Sequence, residues 1–365
     1  MKYSIGVDLH KETAVIAVLN EHGELVERKT FSCKCKEMIR AHFASYGLQC
    51  QVAYESVGFY QWFWNLLKPV VGRLVLADPA GLKAYVGRKA KTDRNDSLLI
   101  ARLLHEGTIP VAYVPPEPIR ELREMSRLRH SIAREYRRSK VAVRWISLQK
   151  NLPGSKSLNS ATISKWMLAN KQKFSRIETE NLFHRFKLLI EQEKQLGEIE
   201  RQIQIFLREH SDLDRQNMLM QSIPGIGEIT AATIIAETGD ITRFDNPDQL
   251  ASYAGLCPRV SQSGESVRHG HISKQGPPLL RWVLQEAAWV AVRCSPEIRH
   301  LHNRIARKAG AKKAITAIAR KMLIYAWSVS RKGQPFQWPD RKSAVNDKTK
   351  GTVSSSQVET FSYCI

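Results

Sequence analysis

Four carboxylates in the first hundred residues carry the chemistry this chain offers. Asp8 stands in Ile5-Gly-Val-Asp-Leu-His-Lys, Glu55 in Val52-Ala-Tyr-Glu-Ser-Val-Gly, and Asp93 and Asp96 in Lys91-Thr-Asp-Arg-Asn-Asp-Ser. Each falls where the pattern ends a strand or begins a helix. Carboxylate oxygens suit hard cations such as Mg²⁺, and two such ions about 3.5–4 Å apart can clamp a phosphodiester under attack. His10 and Lys11 follow the first aspartate and read as well for a surface strand end as for a phosphate contact.

The rest of the chain points to the substrate class. It has 365 residues, 56 Lys+Arg against 35 Asp+Glu and a formal charge of +21, an excess that draws polyanions by steering and counterion release. This length gives room for two or three domains. No run of 18 uncharged apolar residues marks a membrane span, and residues 3–9 enter a strand pattern with no signal-peptide core before them. Six cysteines form no Cys-x-x-Cys pair and no zinc spacing, so they read as reduced packing residues of a cytoplasmic protein.

Elements that must position the acids can be read from periodicity. Residues 3–9, 13–19 and 24–31 are β-rich and separated by turn signals, which predicts an antiparallel meander. A helix at 36–46, a strand at 51–54 ending on Glu55, an aromatic-rich helix at 60–67 and a strand at 73–77 follow. Packing explains Tyr60, Trp62, Phe63 and Trp64 better than base stacking does. A further helix beginning near Thr92 puts Asp93 and Asp96 at i and i+3, on one side. The order βββαβαβα is that of the ribonuclease H and RuvC nuclease fold.

Val114-Pro-Pro-Glu-Pro118 is a linker signal. Beyond it an amphipathic helix over 119–150 carries Arg120, Arg123, Arg127, Arg129, Arg134, Arg137, Arg138 and Arg144, a surface suited to phosphates. A Ser/Gly/Asn-rich loop over 151–161 comes next. Positions 182, 186, 189, 193, 196, 200, 203 and 207 then keep a 4-3 spacing with six apolar and two acidic residues. That is a coiled-coil seam, read here as a dimer contact with pairing inside the chain as the alternative. Ser222-Ile-Pro-Gly-Ile-Gly-Glu-Ile is a helix-hairpin-helix signature, in which Gly225 and Gly227 allow close approach to a nucleic-acid backbone.

The hairpin, the run Leu250-Ala-Ser-Tyr-Ala-Gly-Leu-Cys-Pro-Arg, the Gln262-Ser-Gly and the Ile272-Ser-Lys-Gln-Gly resemble the C-terminal domain of one transposase family. The Gly-Val-Asp-Leu-His-Lys, Glu-Ser-x-Gly and Lys-Thr-Asp-x-x-Asp motifs resemble its N-terminal domain. The family is the DEDD transposases of the IS-one-ten class, relatives of the Piv site-specific DNA invertases. The resemblance spans residues 3–335, with Val57 departing from the small residue usual between Glu and Gly.

It implies an α/β RuvC-like domain over 1–150 with its basic helix, and a loop and coiled-coil linker over 151–215. It also implies a mainly α domain over 216–335 bearing a nucleophilic serine; the polar, Ser/Thr/Lys-rich stretch 336–365 lies outside the resemblance and reads as a disordered tail. By motif position that serine is Ser263; loop chemistry alone does not choose among Ser261, Ser263, Ser266 and Ser273. The implied activity is excision and insertion of a mobile element through a phosphoserine link. Asp8, Glu55, Asp93 and Asp96 would hold a pair of Mg²⁺ ions. Double-stranded DNA, an element-encoded guide RNA and further copies of the chain are the implied partners, at the bacterial nucleoid. Arg259, Arg268 and Lys274 join the arginines of the basic helix as candidates for phosphate contact. The rival reading is a junction-resolving endonuclease in which water attacks.

Overall fold

The computed structural model describes residues 1–85, 93–152, 160–263 and 266–338, with backbone alone at 93–94, 160–161, 163–164, 260–263 and 266–269. It divides into two compact units, Met1–Val114 and Pro115 onward. The basic helix, grouped with the first domain on sequence, therefore belongs to the second unit.

The first unit is a mixed five-stranded sheet with helices on both faces. In chain order it contains β1 (Tyr3–Leu9), β2 (Thr13–Leu19), β3 (Leu25–Ser32), α1 (Lys36–Tyr46), β4 (Cys50–Glu55), α2 (Gln61–Leu67), β5 (Arg73–Ala77), α3 (Pro79–Leu82) and α4 (Asp93–His105). The strand order is β3-β2-β1-β4-β5. β1, β2 and β3 pair antiparallel, while β4 and β5 run parallel to β1. Side chains alternate across a strand, and the core divides accordingly. Ile5, Val7, Val52 and Tyr54 pack with Phe43 of α1 and Phe63 of α2. Ala53, Val75 and Ala77 pack on the opposite face with Ile100, Leu103 and Leu104 of α4. Trp62 and Trp64 lie half-buried against the first of these cores, so the aromatic helix is a packing element.

The second unit is mostly helical: α5 (Glu117–Gln149), α6 (Ser160–Asn170), α7 (Arg176–Glu209), α8 (Ser211–Gln221), α9 (Glu228–Thr238), α10 (Pro247–Tyr253), β6 (Pro258–Ser263), β7 (Ser266–Ile272), α11 (Pro278–Cys294), α12 (Pro296–Ala309) and α13 (Ala311–Lys332). The capping box expected of a long helix start is present on α7, where Ser175 and Glu178 satisfy each other's backbone N–H.

The seam on α7 closes inside the chain, correcting the dimer reading. Leu182, Phe186 and Leu189 cluster with Tyr136 and Val143 from the far half of α5. Ile199, Ile203 and Leu207 share a core with Ile119 and Leu122 from its near half. The two helices therefore run antiparallel. Glu200, one of the two seam acids, is taken up by Arg129 of α5, whose Nε donates to it at 2.9 Å. Lys150 and Glu178 close the far end at 2.7 Å.

Two more expectations change. The Gly/Ser-rich stretch after α10 forms an antiparallel hairpin, β6 with β7. Residues 336–338, assigned to a disordered tail, pack instead. Phe336 N–H donates to Ser222 Oγ at 2.7 Å, and Phe336 and Trp338 stack around Tyr325. Residues 339–365, Thr92 and most of the 151–161 loop lie outside the described residues. Among the described residues no helix is long and apolar enough to cross a membrane, and none of the five cysteines forms a disulfide.

Candidate functional site

Gly6 explains how the acids of the first unit come together. It lies two residues before Asp8 on the same face of β1, and a Cβ built on it would fall 2.1 Å from Ser97 O and 2.3 Å from Ala101 N. Helix α4 therefore rests directly on the strand backbone. Two residues earlier, Ser4 Oγ meets His105 Nδ1 at 3.4 Å. The helix thus runs back along β1, its last turn over Ser4, its middle over Gly6 and its first turn toward Asp8. Gln51 ties down the trailing end, donating from Nε2 to Ser4 Oγ at 3.0 Å and to Leu104 O at 3.4 Å.

Glu55 arrives from the neighbouring strand. β1 and β4 pair Gly6 with Ala53 and Val7 with Tyr54, and paired residues of parallel strands share a face. Asp8 and Glu55 stand one step further along, on the α4 face, at the C-terminal ends of adjacent strands about 4.8 Å apart. Asp96 is one helical turn before Ile100, which packs with Ala53. Asp93 is one turn before Ser97, which overlies Gly6. Three of the four acids are half-buried; the side chain of Asp93 is not described.

His10 Nε2 lies 3.1 Å from Asp8 Oδ2. Among the described residues no three His, Cys, Asp or Glu side chains lie close enough together to hold a metal ion. The donor set is nevertheless all carboxylate oxygen, which fits a hard divalent cation and suits soft ones poorly.

Ser263 ends β6 and pairs with Ser266, leaving two residues between the strands. Arg268 lies on β7 opposite Ser261. Arg259, on β6, donates from Nη2 to Ser273 O at 3.2 Å. Lys274 adopts φ +56 just beyond β7. The hairpin was missed in the sequence because serine, glycine and charged residues outweigh its few β-branched ones, Val260, Val267 and Ile272. The usable signal was Ser-Gly-Glu-Ser, a two-residue turn with glycine between extended arms.

The helix-hairpin-helix glycines divide in role. Gly225, at φ +91, has Ala287 O within 2.6 Å of its virtual Cβ, together with Ala291. Its lack of a side chain admits the close approach of helix α11. Gly227 precedes α9 with open space around it, so the free amides of that helix start remain available to an anion.

The arginines of α5 also divide. Arg123 Nε donates to Ala236 O at 2.8 Å, and Arg127 forms a bidentate pair with Glu237, 2.8 and 3.0 Å. Glu237 is fully buried, so these two side chains hold the end of α9. Arg120 is half-buried. Arg134 and Arg138 lie on the outer face near Glu135, beside an open groove floored by Val141 and Trp145. Arg137 stacks on Trp282, 4.9 Å from the ring centre.

His130 packs on the same indole at 4.5 Å. Burial first, and then Arg137, Arg134 and Arg129, hold its pKa below the ordinary histidine value. A depressed base takes its proton more readily unfolded than folded. Stability therefore falls as pH drops through the unfolded value, about 6.5. The unfolding midpoint is expected to decrease from pH 7.5 to 5.5. The slope should be shallower in His130→Asn, measured by urea denaturation at both pH values.

Known proteins resemble this chain along most of its length. Residues 5–147 match the family model of DEDD transposases of the IS110 type, described as "Transposase". Residues 217–303 match the model described as "Transposase IS116/IS110/IS902 family". The transposase for insertion sequence element IS1111A of Coxiella burnetii is 22% identical over 351 residues, 91% of each chain. The transposase for insertion sequence element IS1533 of Leptospira borgpetersenii is 22% identical over 295 residues, covering 79% of this chain and 85% of its own. The pilin gene-inverting protein of Moraxella bovis is 36% identical over 128 residues, 34% of this chain and 40% of its own. The first match spans the first unit and nearly all of α5, the second lies within the second unit, and together they cover more than half of the sequence; the chain belongs to the IS110 family of DNA transposases and recombinases.

Proposed function

We propose that this transposase cuts and rejoins DNA through a phosphoserine link on Ser263, assisted by Mg²⁺ held by Asp8, Glu55, Asp93 and Asp96. The observation that carries the reading is the convergence on one face of β1 and β4. Asp8 and Glu55 end adjacent strands there, and α4 returns its first turn, with Asp93 and Asp96, to the same edge. The strand order β3-β2-β1-β4-β5, with three antiparallel strands and two parallel, supports a RuvC or ribonuclease H-like fold for this unit.

In the proposed step Ser263 Oγ attacks the phosphorus. The Oγ–P bond forms as the P–O bond to the neighbouring nucleotide breaks, and the serine proton passes to solvent or a carboxylate. The electron pair of the broken bond leaves with the departing strand oxygen, which takes up a proton. Rejoining reverses the exchange with a new strand end. Bound Mg²⁺ would polarise the phosphate and stabilise developing charge. A serine hydroxyl is a weak nucleophile unaided, which is why the acid cluster and the serine belong to one reading.

DNA at the element ends and target would meet the amides after Gly227 and the cations Arg259, Arg268 and Lys274. The outer face of α5, with Arg134, Arg137 and Arg138, suits the backbone of a structured guide RNA. Homo-oligomeric assembly in the cytoplasm, on the nucleoid, completes the reading.

Trapping tests it. Protein, RNA from the element flanks, Mg²⁺ and nicked substrate DNA are incubated, and a denaturation-resistant protein–DNA adduct is sought and mapped. An adduct on Ser263 that disappears in Ser263→Ala and in Asp8→Ala is expected. Cleaved DNA with no adduct, unaffected by Ser263→Ala, would replace this reading with a nuclease that uses water.

A further inference from the structure

The β6–β7 hairpin is fixed at its feet with no free space. Gly255, after α10, and Gly276, before α11, have φ +68 and +82. A Cβ at Gly255 would lie 2.1 Å from Gln275 O, and one at Gly276 1.8 Å from Tyr253 O. Ser273 N–H donates to Cys257 O at 2.8 Å and Lys274 N–H to Gly255 O at 3.1 Å. The left-handed backbone of Lys274 is costly for a residue with a side chain, so something must hold it.

Arg281, in the first turn of α11, supplies the clamp. Its Nη1 lies 3.1 Å from Ala254 O, 3.0 Å from Gln275 O and 3.0 Å from Gly276 O. These carbonyls belong to both feet of the hairpin. The first turn of a helix is a poor place for a cation, since the helix dipole opposes it, and burial disfavours its charge as well. Three backbone carbonyls converging on its Nη1 account for an arginine there.

We propose that Arg281 is a positioning residue that fixes both feet of the hairpin and thereby sets where Ser263 stands. The inference rests on the reading of Ser263 as nucleophile. The arm from Pro258 to Ser263 is six residues, roughly 18 Å when extended. A tilt of about 5° at its base would move its end by ~1.5 Å on that length. Misplacement by about 1 Å costs on the order of 100-fold in rate.

Full-length Arg281→Ala and Arg281→Lys decide it. Amide hydrogen exchange over 255–276 is expected to quicken in Arg281→Ala on the protein alone. Single-turnover adduct formation at saturating DNA should fall about 100-fold while DNA affinity falls far less, and Arg281→Lys should recover part of the rate. A wild-type adduct with unaltered rate in Arg281→Ala overturns the inference and leaves the nucleophile in place. So does a rate loss matched by an equal loss of DNA affinity. If Arg281→Ala does not fold, the same comparison is made with Arg281→Lys, for which a wild-type rate and exchange profile overturn it. Absence of a Ser263 adduct in the wild type instead overturns the nucleophile reading and the catalytic half of the inference with it.

Discussion

Gly6→Val is expected to reduce strand cleavage by at least about 100-fold, the scale of a 1 Å error in a reacting group, and to destabilise the first unit. Valine suits a β-strand, so the cost arises from one collision. The new Cβ would lie 2.1 Å from Ser97 O and 2.3 Å from Ala101 N, both backbone atoms that no rotamer change can clear. Helix α4 must lift, and Asp93 and Asp96 lift with it while Asp8 stays on the strand. Overpacking of this kind typically costs 1–3 kcal/mol, so thermal unfolding should shift downward by several degrees. Gly197→Ala makes the control. Gly197 is an exposed position within α7 with nothing near its virtual Cβ, and alanine there should stabilise by up to ~1 kcal/mol. A Gly6→Val protein that cleaves normally would show that α4 does not set the acids.

The contrast between Gly6 and Gly225 indicates what could be read before folding. Both are glycines inside motifs, and the sequence shows only that a side chain is missing. At Gly6 the neighbour is a helix ninety residues later; at Gly225 it is α11, sixty residues later. Neither partner is encoded in local spacing. β1, β2, β4 and β5 were legible because each is a short, largely apolar run between turn signals, continuous where both faces are buried, while the mostly exposed β3 was legible only from its place between turn signals. The acids were legible because strand ends and helix starts fix them.

The pairing of α5 with α7 was half legible. The 4-3 spacing gives a seam, but spacing does not say whose helix fills it. Arg129 reaching Glu200 settles that for the described helices. The hairpin bearing Ser263 was not legible, since its fold depends on Gly255, Gly276 and Arg281 holding its feet, which are contacts between segments and not a pattern within one.

The arginines of α5 provide the sharper case, because composition treats them as one basic surface and the fold does not. Arg127→Met is expected to destabilise the second unit by about 3 kcal/mol, and Arg134→Ala and Arg138→Ala by less than ~0.5 kcal/mol. Glu237 is fully buried, with both carboxylate oxygens on Arg127, so removing the guanidinium leaves a buried charge unpaired. Broken buried pairs cost about 3–5 kcal/mol; the low end applies because the Arg127 side chain is 57% exposed and water screens part of the loss. Arg127 also brings positive charge to the end of α9, whose last turn has no basic residue of its own.

Arg134 and Arg138 share the exposed Glu135, and their loss should leave folding alone. What they should change is nucleic-acid affinity. Each phosphate contact removed lowers the slope of log affinity against log salt by about one. Denaturant unfolding and salt-dependent binding, measured on the same variants, separate the classes. An Arg127→Met protein of wild-type stability with a reduced salt slope would reverse the assignment and make Arg127 a phosphate contact.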